Sequence, residues 1–154
     1  MPNIDLRPVL SSALLSIQAM DGSPKLKSAH LGNALSLLHA SFGETSWVGL
    51  YLLNDGELIL GPFQGSMACE AIQIGKGVVG ECFKRNETMT VSDVTTWPNY
   101  ICCDAAAKSE ICVPIRDEGG KPFAVLDIDL PYTHEYDDEK SLFEQVAEAL
   151  SRFC

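Results

Sequence analysis

Apolar residues recur at three- and four-residue spacing at both ends of the chain and at two-residue spacing in its middle. Near the start, Leu6, Val9, Leu10, Ala13, Leu14, Ile17 and Met20 form one stripe, which predicts a helix from Asp5. Asp5 is read as its N-cap, with Pro8 tolerated in the first turn, and Asp21-Gly22-Ser23 ends it. A second helix is predicted from Pro24, with the stripe Leu31, Ala34, Leu35, Leu38 and Phe42 and a stop at Gly43. His30 and His39 stand beside this stripe and read as surface or satisfied helix histidines. A closing helix begins at Asp137, Asp138 and Glu139, whose charges favour a helix N-terminus, and is carried by Leu142, Phe143, Val146, Leu150 and Phe153.

Between the helices the period falls to two. Ser46–Leu53 predicts a strand with Trp47, Gly49 and Tyr51 on one face and Val48, Leu50 and Leu52 on the other, so both faces need cover. The glycine between two aromatics leaves a dent on its face, which makes Trp47 and Tyr51 either ordinary core or the wall of a pocket. Asn54-Asp55-Gly56 turns the chain into a second strand, and MACEAIQI predicts a third that carries Cys69. The glycine run Gly75–Gly80 opens a short helix over about Val78–Glu87 that contains Cys82. Its G-x-G-x-x-G spacing matches a dinucleotide loop, but the helix is short for a parallel crossover and no further strand-helix-strand units follow, so the glycines read as a tight loop near a ligand. Residues 88–94 form a brief strand. Two more surround the turn Asp117-Glu118-Gly119-Gly120; in the later one Ala124, Leu126, Ile128 and Leu130 take one face and Val125, Asp127 and Asp129 the other. Those two acids belong either to a half-exposed strand or to a site for a cationic group. The whole predicts one α+β domain, an antiparallel sheet sandwiched between helices.

Composition narrows the partners. With 154 residues, 46% of them hydrophobic, the chain suits one core rather than two. A net charge of −10 without clustered Lys and Arg disfavours nucleic acid and anionic membranes. The start lacks the basic segment and apolar run of a signal peptide, and no apolar run reaches membrane length, so a cytoplasmic location is expected. There the six cysteines should rest reduced, and any bridge among them should be transient and catalytic. No C-x-x-C is present and His30, His39 and His134 stand at no ligand spacing, so neither a zinc site nor another cofactor is expected.

Chemistry concentrates in Tyr100–Pro114, YICCDAAAKSEICVP. Cys102 and Cys103 precede Asp104 and three alanines, near the start of a predicted helical turn whose dipole favours a thiolate. Ser109 and Glu110 then open an apolar strand in which Cys112 reads as an ordinary strand residue. Carboxylates crowded in a partly desolvated pocket raise one another's pKa toward values that allow proton donation near neutrality.

These residues resemble the free methionine-(R)-sulfoxide reductases, a family built on a single GAF domain. The motifs are W-x-G-x-Y at Trp47–Tyr51, L-G-P-F-Q-G at Leu60–Gly65, A-C at Ala68-Cys69, G-x-G-V-x-G at Gly75–Gly80, C-D-A-A at Cys103–Ala106, S-E-I at Ser109–Ile111 and L-D-I-D at Leu126–Asp129. The resemblance runs from about Thr45 to Thr133 and, joined to the helices read from the pattern, implies a single GAF-like domain over residues 1–154, with a helical part over 5–43, sheet and site over 45–133 and a closing helix over 136–153. It implies Cys103 as nucleophile, Cys69 as resolving cysteine and Glu110 as proton donor. Asp127 and Asp129, with Glu110, would hold the sulfoxide and amino group of free methionine sulfoxide, between the walls Trp47 and Tyr51. A thioredoxin-like dithiol would reduce the resulting disulfide, and a homodimer is compatible with the sequence. Many members carry a further cysteine where this chain has Val79, so Cys69 resolves alone or Cys102 or Cys82 takes part. A different class of function remains open: a stand-alone GAF sensor that binds a small molecule in the same pocket and acts through a partner protein.

Overall fold

The two-residue alternation becomes a six-stranded antiparallel sheet in the computed structural model, which describes residues 3–98, 100–101 and 106–154. Its strands are β1 (Trp47–Asn54), β2 (Glu57–Gln64), β3 (Ala71–Gln73), β4 (Met89–Val91), β5 (Ser109–Arg116) and β6 (Pro122–Leu130), in the order β3-β2-β1-β6-β5-β4. The helices are α1 (Arg7–Gln18), α2 (Lys27–Phe42), α3 (Gly77–Arg85) and α4 (Lys140–Leu150). The Asn54-Asp55-Gly56 signal closes the β1–β2 hairpin, with Asp55 and Gly56 both at positive φ (49° and 79°). Such a turn matches the right-handed twist of the strands.

One face of the sheet is aliphatic. Val48 and Leu50 of β1, Ile111, Val113 and Ile115 of β5, and Ala124, Leu126, Ile128 and Leu130 of β6 meet the stripes of α1, α2 and α4 in a single core. The other face carries Trp47, Tyr51, Leu58, Ile72, Cys112 and Val125, covered by Val78, Val79 and Cys82 of α3. Both faces are therefore covered, as the apolar character of β1 requires. Among the described residues, no helix is long and apolar enough to cross a membrane.

Several boundaries differ from expectation for local reasons. Asp5 does not cap α1 as its N-cap residue; its Oδ1 accepts from the Arg7 N–H at 3.0 Å, and Leu6 holds the N-cap position with no side-chain cap of its own. The missing cap comes from far away: the Leu6 N–H donates to Glu139 Oε1 at 3.2 Å, while Glu139 Oε2 lies 3.2 Å from His134 Nε2. Glu139 stands at the N-cap of α4, and it and His134 are buried and tie α1 to the entry of that helix. Val9 faces solvent. Pro24 starts a single 3-10 turn, Pro24–Leu26, before α2 begins. The third strand is shorter than MACEAIQI and leaves Cys69 outside it, because the Cys69 carbonyl is taken by the Tyr51 hydroxyl at 2.9 Å instead of a strand neighbour.

Candidate active site

Strand register assembles the site. Across the middle of the sheet, Trp47 of β1 pairs with Asp129 of β6, which pairs with Glu110 of β5; on the next rung, Gly49 pairs with Asp127, which pairs with Cys112. Because alternate residues share a face, Glu110, Cys112, Asp127 and Asp129 all rise on the side covered by α3. All four are buried, the three acids at 5%, 5% and 8% exposure for Glu110, Asp127 and Asp129. The reading of Asp127 and Asp129 as water-facing acids of a half-exposed strand is thus overturned: α3 and the loops on either side of it roof this face.

The roof and floor enclose a cavity of about 20 Å³, lined by Tyr51 and the three acids from the sheet and by Val78, Val79, Gly77 and Lys76 at the start of α3. Tyr100 and Ile101 complete it. Gly77 sits at φ 63°, and a Cβ there would come within 2.9 Å of Ile101 Cδ1, so the glycine allows the Ile101 loop to lie directly on the helix start. The glycine run thus forms a tight loop, with the Ile101 side chain against it.

Burial sets the protonation of the site. Glu110 is pushed up to about 8, first by loss of solvent and then by the charge of Asp129 directly across the ladder; hydrogen bonds with Asp127, Cys112 and Tyr100 pull the other way. It therefore carries a proton at neutral pH. Burial likewise pushes the Tyr51 hydroxyl up, with the charges of Asp127, Asp129 and Glu110 adding to it, and that hydroxyl stays a donor to the Cys69 carbonyl.

The expected residues fall into three groups. Glu110, Asp127, Asp129 and Tyr51 converge on the cavity. Trp47 does not line it: its ring stacks on Phe63 and Tyr51, at centroid distances of 5.4 and 6.2 Å, and its Nε1–H donates to the Ser66 carbonyl. The dent expected at Gly49 is filled by this stack, since a Cβ there would stand 2.8 Å from Trp47 Cζ3 and 2.5 Å from Phe63 Cβ. Cys103, Cys102 and the helical turn from Asp104 lie outside the described residues. Cys69, partly buried beside Tyr51, is disulfide-bonded, whereas Cys82, Cys112 and Cys154 are free thiols. Cys82 is fully buried in α3, where desolvation pushes its thiol up.

Sequence reasoning missed Cys112. Its Sγ lies 3.3 Å from Glu110 Oε1 and 3.4 Å from Asp127 Oδ1, at the centre of the acidic group rather than in ordinary strand surroundings. The signal was present: Cys112 is two residues from Glu110 and must share its face. Glu110, Cys112 and Asp127 also bring potential metal-ligand atoms within 4.8 Å of one another, although each of these contacts is equally that of a hydrogen-bonded acid-thiol group.

The chain matches the GAF domain family model over residues 31–153. It is 42% identical to protein YtsP of Bacillus subtilis, over 90% of this chain and 86% of that one, and 36% identical to the free methionine-R-sulfoxide reductase of Saccharomyces cerevisiae, over 99% and 89%. The crystal structure of free methionine-R-sulfoxide reductase from Neisseria meningitidis in complex with its substrate superposes with a TM-score of 0.82 at 33% identity, covering 99% of this chain and 93% of that one. With its GAF fold, its order of motifs and these relatives, the chain belongs to the free methionine-(R)-sulfoxide reductase family.

Proposed function

We propose that this chain is an oxidoreductase that reduces free methionine-(R)-sulfoxide to methionine. The observation that carries the reading is the buried trio Glu110, Asp127 and Asp129 beneath Tyr51, in a chain that has relatives named free methionine-R-sulfoxide reductase. A buried acidic site favours a cation, and the α-ammonium group of a free amino acid supplies one that a residue within a polypeptide lacks. Asp127 and Asp129 hold that group, Tyr51 bounds the methyl-sulfur end, and Trp47 backs Tyr51.

Cys103 is the nucleophile. Its thiolate attacks the sulfoxide sulfur as Glu110, neutral near pH 7, donates a proton to the oxygen; the net exchange converts Cys103 thiol and sulfoxide to Cys103 sulfenic acid and thioether. Cys69 then displaces water from the sulfenic acid to give a Cys69–Cys103 disulfide, and a thioredoxin-like dithiol supplies the electron pair that restores both thiols. The disulfide already present at Cys69, beside a set of free thiols at Cys82, Cys112 and Cys154, supports giving Cys69 the resolving role. Such a cycle suits the cytoplasm, where dithiol reductants are supplied. A 20 Å³ cavity has room for about one water molecule, so substrate entry requires one wall to withdraw. Tyr100 and Ile101, which belong to neither the sheet nor α3, are that wall.

The test is a single turnover. Reduced protein given free methionine-(R)-sulfoxide and no reductant should form about one methionine per chain and end with a Cys69–Cys103 bridge on peptide mapping. Absence of methionine would overturn the reading, and a bridge from Cys82 or Cys102 to Cys103 would reassign the resolver.

A further inference from the structure

We infer that Cys112 is a positioning residue, a thiol donor shared by Glu110 and Asp127 that turns to whichever of them carries negative charge. The inference rests on the reading of Glu110 as proton donor, but its evidence is the geometry beneath the cavity. Cys112 Sγ is fully buried and stands between two carboxyl groups, 3.3 Å from Glu110 Oε1 and 3.4 Å from Asp127 Oδ1, both within hydrogen-bonding reach for sulfur. The register holds it there: Glu110 is two residues before it on β5, and Asp127 is directly opposite on β6.

A thiol has one proton to donate and here has two acceptors, so it serves one carboxylate at a time. Loss of solvent keeps that proton on sulfur, and the charge of Glu110 once it ionises and that of Asp127 act in the same sense, which makes Cys112 a donor throughout and removes it from the nucleophilic chemistry. While Glu110 is neutral, the charge nearest the thiol is Asp127, and the S–H points to it. When Glu110 gives its proton to the sulfoxide oxygen, it becomes a buried carboxylate facing Asp129. Rotation of the S–H from Asp127 to Glu110 then stabilises the new charge without moving the backbone. The hydrogen bond from Cys112 acts in this sense, opposing the effect of burial on Glu110. No covalent change at Cys112 is involved; only the direction of its proton alters.

Titration of the substrate-free protein tests this apart from any turnover. The carboxyl stretch of Glu110, assigned by its loss in Glu110→Gln, is followed by infrared difference spectroscopy against pH in the parent chain, Cys112→Ala and Cys112→Ser. Cys112→Ala should release the Glu110 proton at a pH higher by about one unit, and Cys112→Ser, which restores an O–H donor, should return the midpoint toward the parent value. In turnover, Cys112→Ala should lower kcat about fivefold and move the alkaline limb of its pH profile upward, with Cys112→Ser close to the parent. An unchanged midpoint in Cys112→Ala, or a serine variant that titrates like the alanine one, overturns the inference. Failure of the protein to reduce methionine sulfoxide would count against the proposed function while the infrared midpoints still decide the role of Cys112.

Discussion

The two faces of the central sheet are made from alternate residues of the same three strands, and they do opposite things. On one, Ile111, Val113, Leu126 and Ile128 lie in a mainly aliphatic core with the apolar stripes of α1, α2 and α4. On the other, one residue away along the chain, Glu110, Cys112, Asp127 and Asp129 are as thoroughly buried but under one short helix and its loops. Burial of an aliphatic side chain stabilises the fold by about 1.5–3 kcal/mol, whereas burial of a carboxylate costs free energy unless it keeps its proton or finds a cation. The aliphatic face therefore supports a face that is electrostatically strained, and in the proposed function that strain suits the second face to take a cation and give up a proton. The side chains of α1, α2 and α4 complete the larger apolar core, while the α3 side retains a cavity.

The largest effect separating the faces should come from Glu110→Gln. The change keeps shape and removes the transferable proton, and kcat should fall by about 10²–10³ with little loss of stability at pH 7. A decrease of less than about threefold would mean that the proton comes from elsewhere. On the opposite face, Leu126→Ala should show the reverse pattern, a loss of about 2–5 kcal/mol in urea unfolding with kcat/KM of the folded protein within about threefold of the parent. If Leu126→Ala impaired catalysis as strongly as Glu110→Gln, the two faces would not be separable.

A subtler effect is the pH dependence of stability. Glu110 has its folded pKa raised from 4.5 to about 8, so its contribution is fully present below about pH 4.5 and is lost as pH rises through about 8. The parent chain should lose on the order of a few kcal/mol from this group between pH 5 and pH 9, as measured by denaturant unfolding, and Glu110→Gln should lose correspondingly less. Parallel curves for the two proteins would show that Glu110 is not strained.

Much of this division could be read in the chain. The stripes of α1, α2 and α4 and the turn at Asp55-Gly56 are local signals, and the alternation that put Asp127 and Asp129 opposite Leu126 and Ile128 held residue by residue. What could not be read is which polar groups would be covered. The burial of the acids depends on α3, some thirty residues before Glu110 in the chain, and on the placing of Ile101 against Gly77. Cys112 was hidden because β5 is apolar on both faces, so ICVPI shows no period of its own even though Glu110 fixes the register. The Gly49 dent was visible, but its occupant was not: Phe63 reaches Trp47 across an irregularity in the β1–β2 ladder between Gly49 and Tyr51. Glu139 was legible as an acid at a helix N-terminus but its partners, Leu6 and His134, were not, because they reach it only through tertiary packing.

The most direct test of the central claim is turnover by the purified protein with a dithiol reductant, supplied in parallel with free methionine-(R)-sulfoxide, its S epimer, and methionine-(R)-sulfoxide within a peptide. An acidic site that holds a free ammonium group predicts methionine formation from the free R epimer, with the S epimer and the peptide left essentially unreduced. Equal reduction of the peptide, or no methionine from the free R epimer, would contradict it.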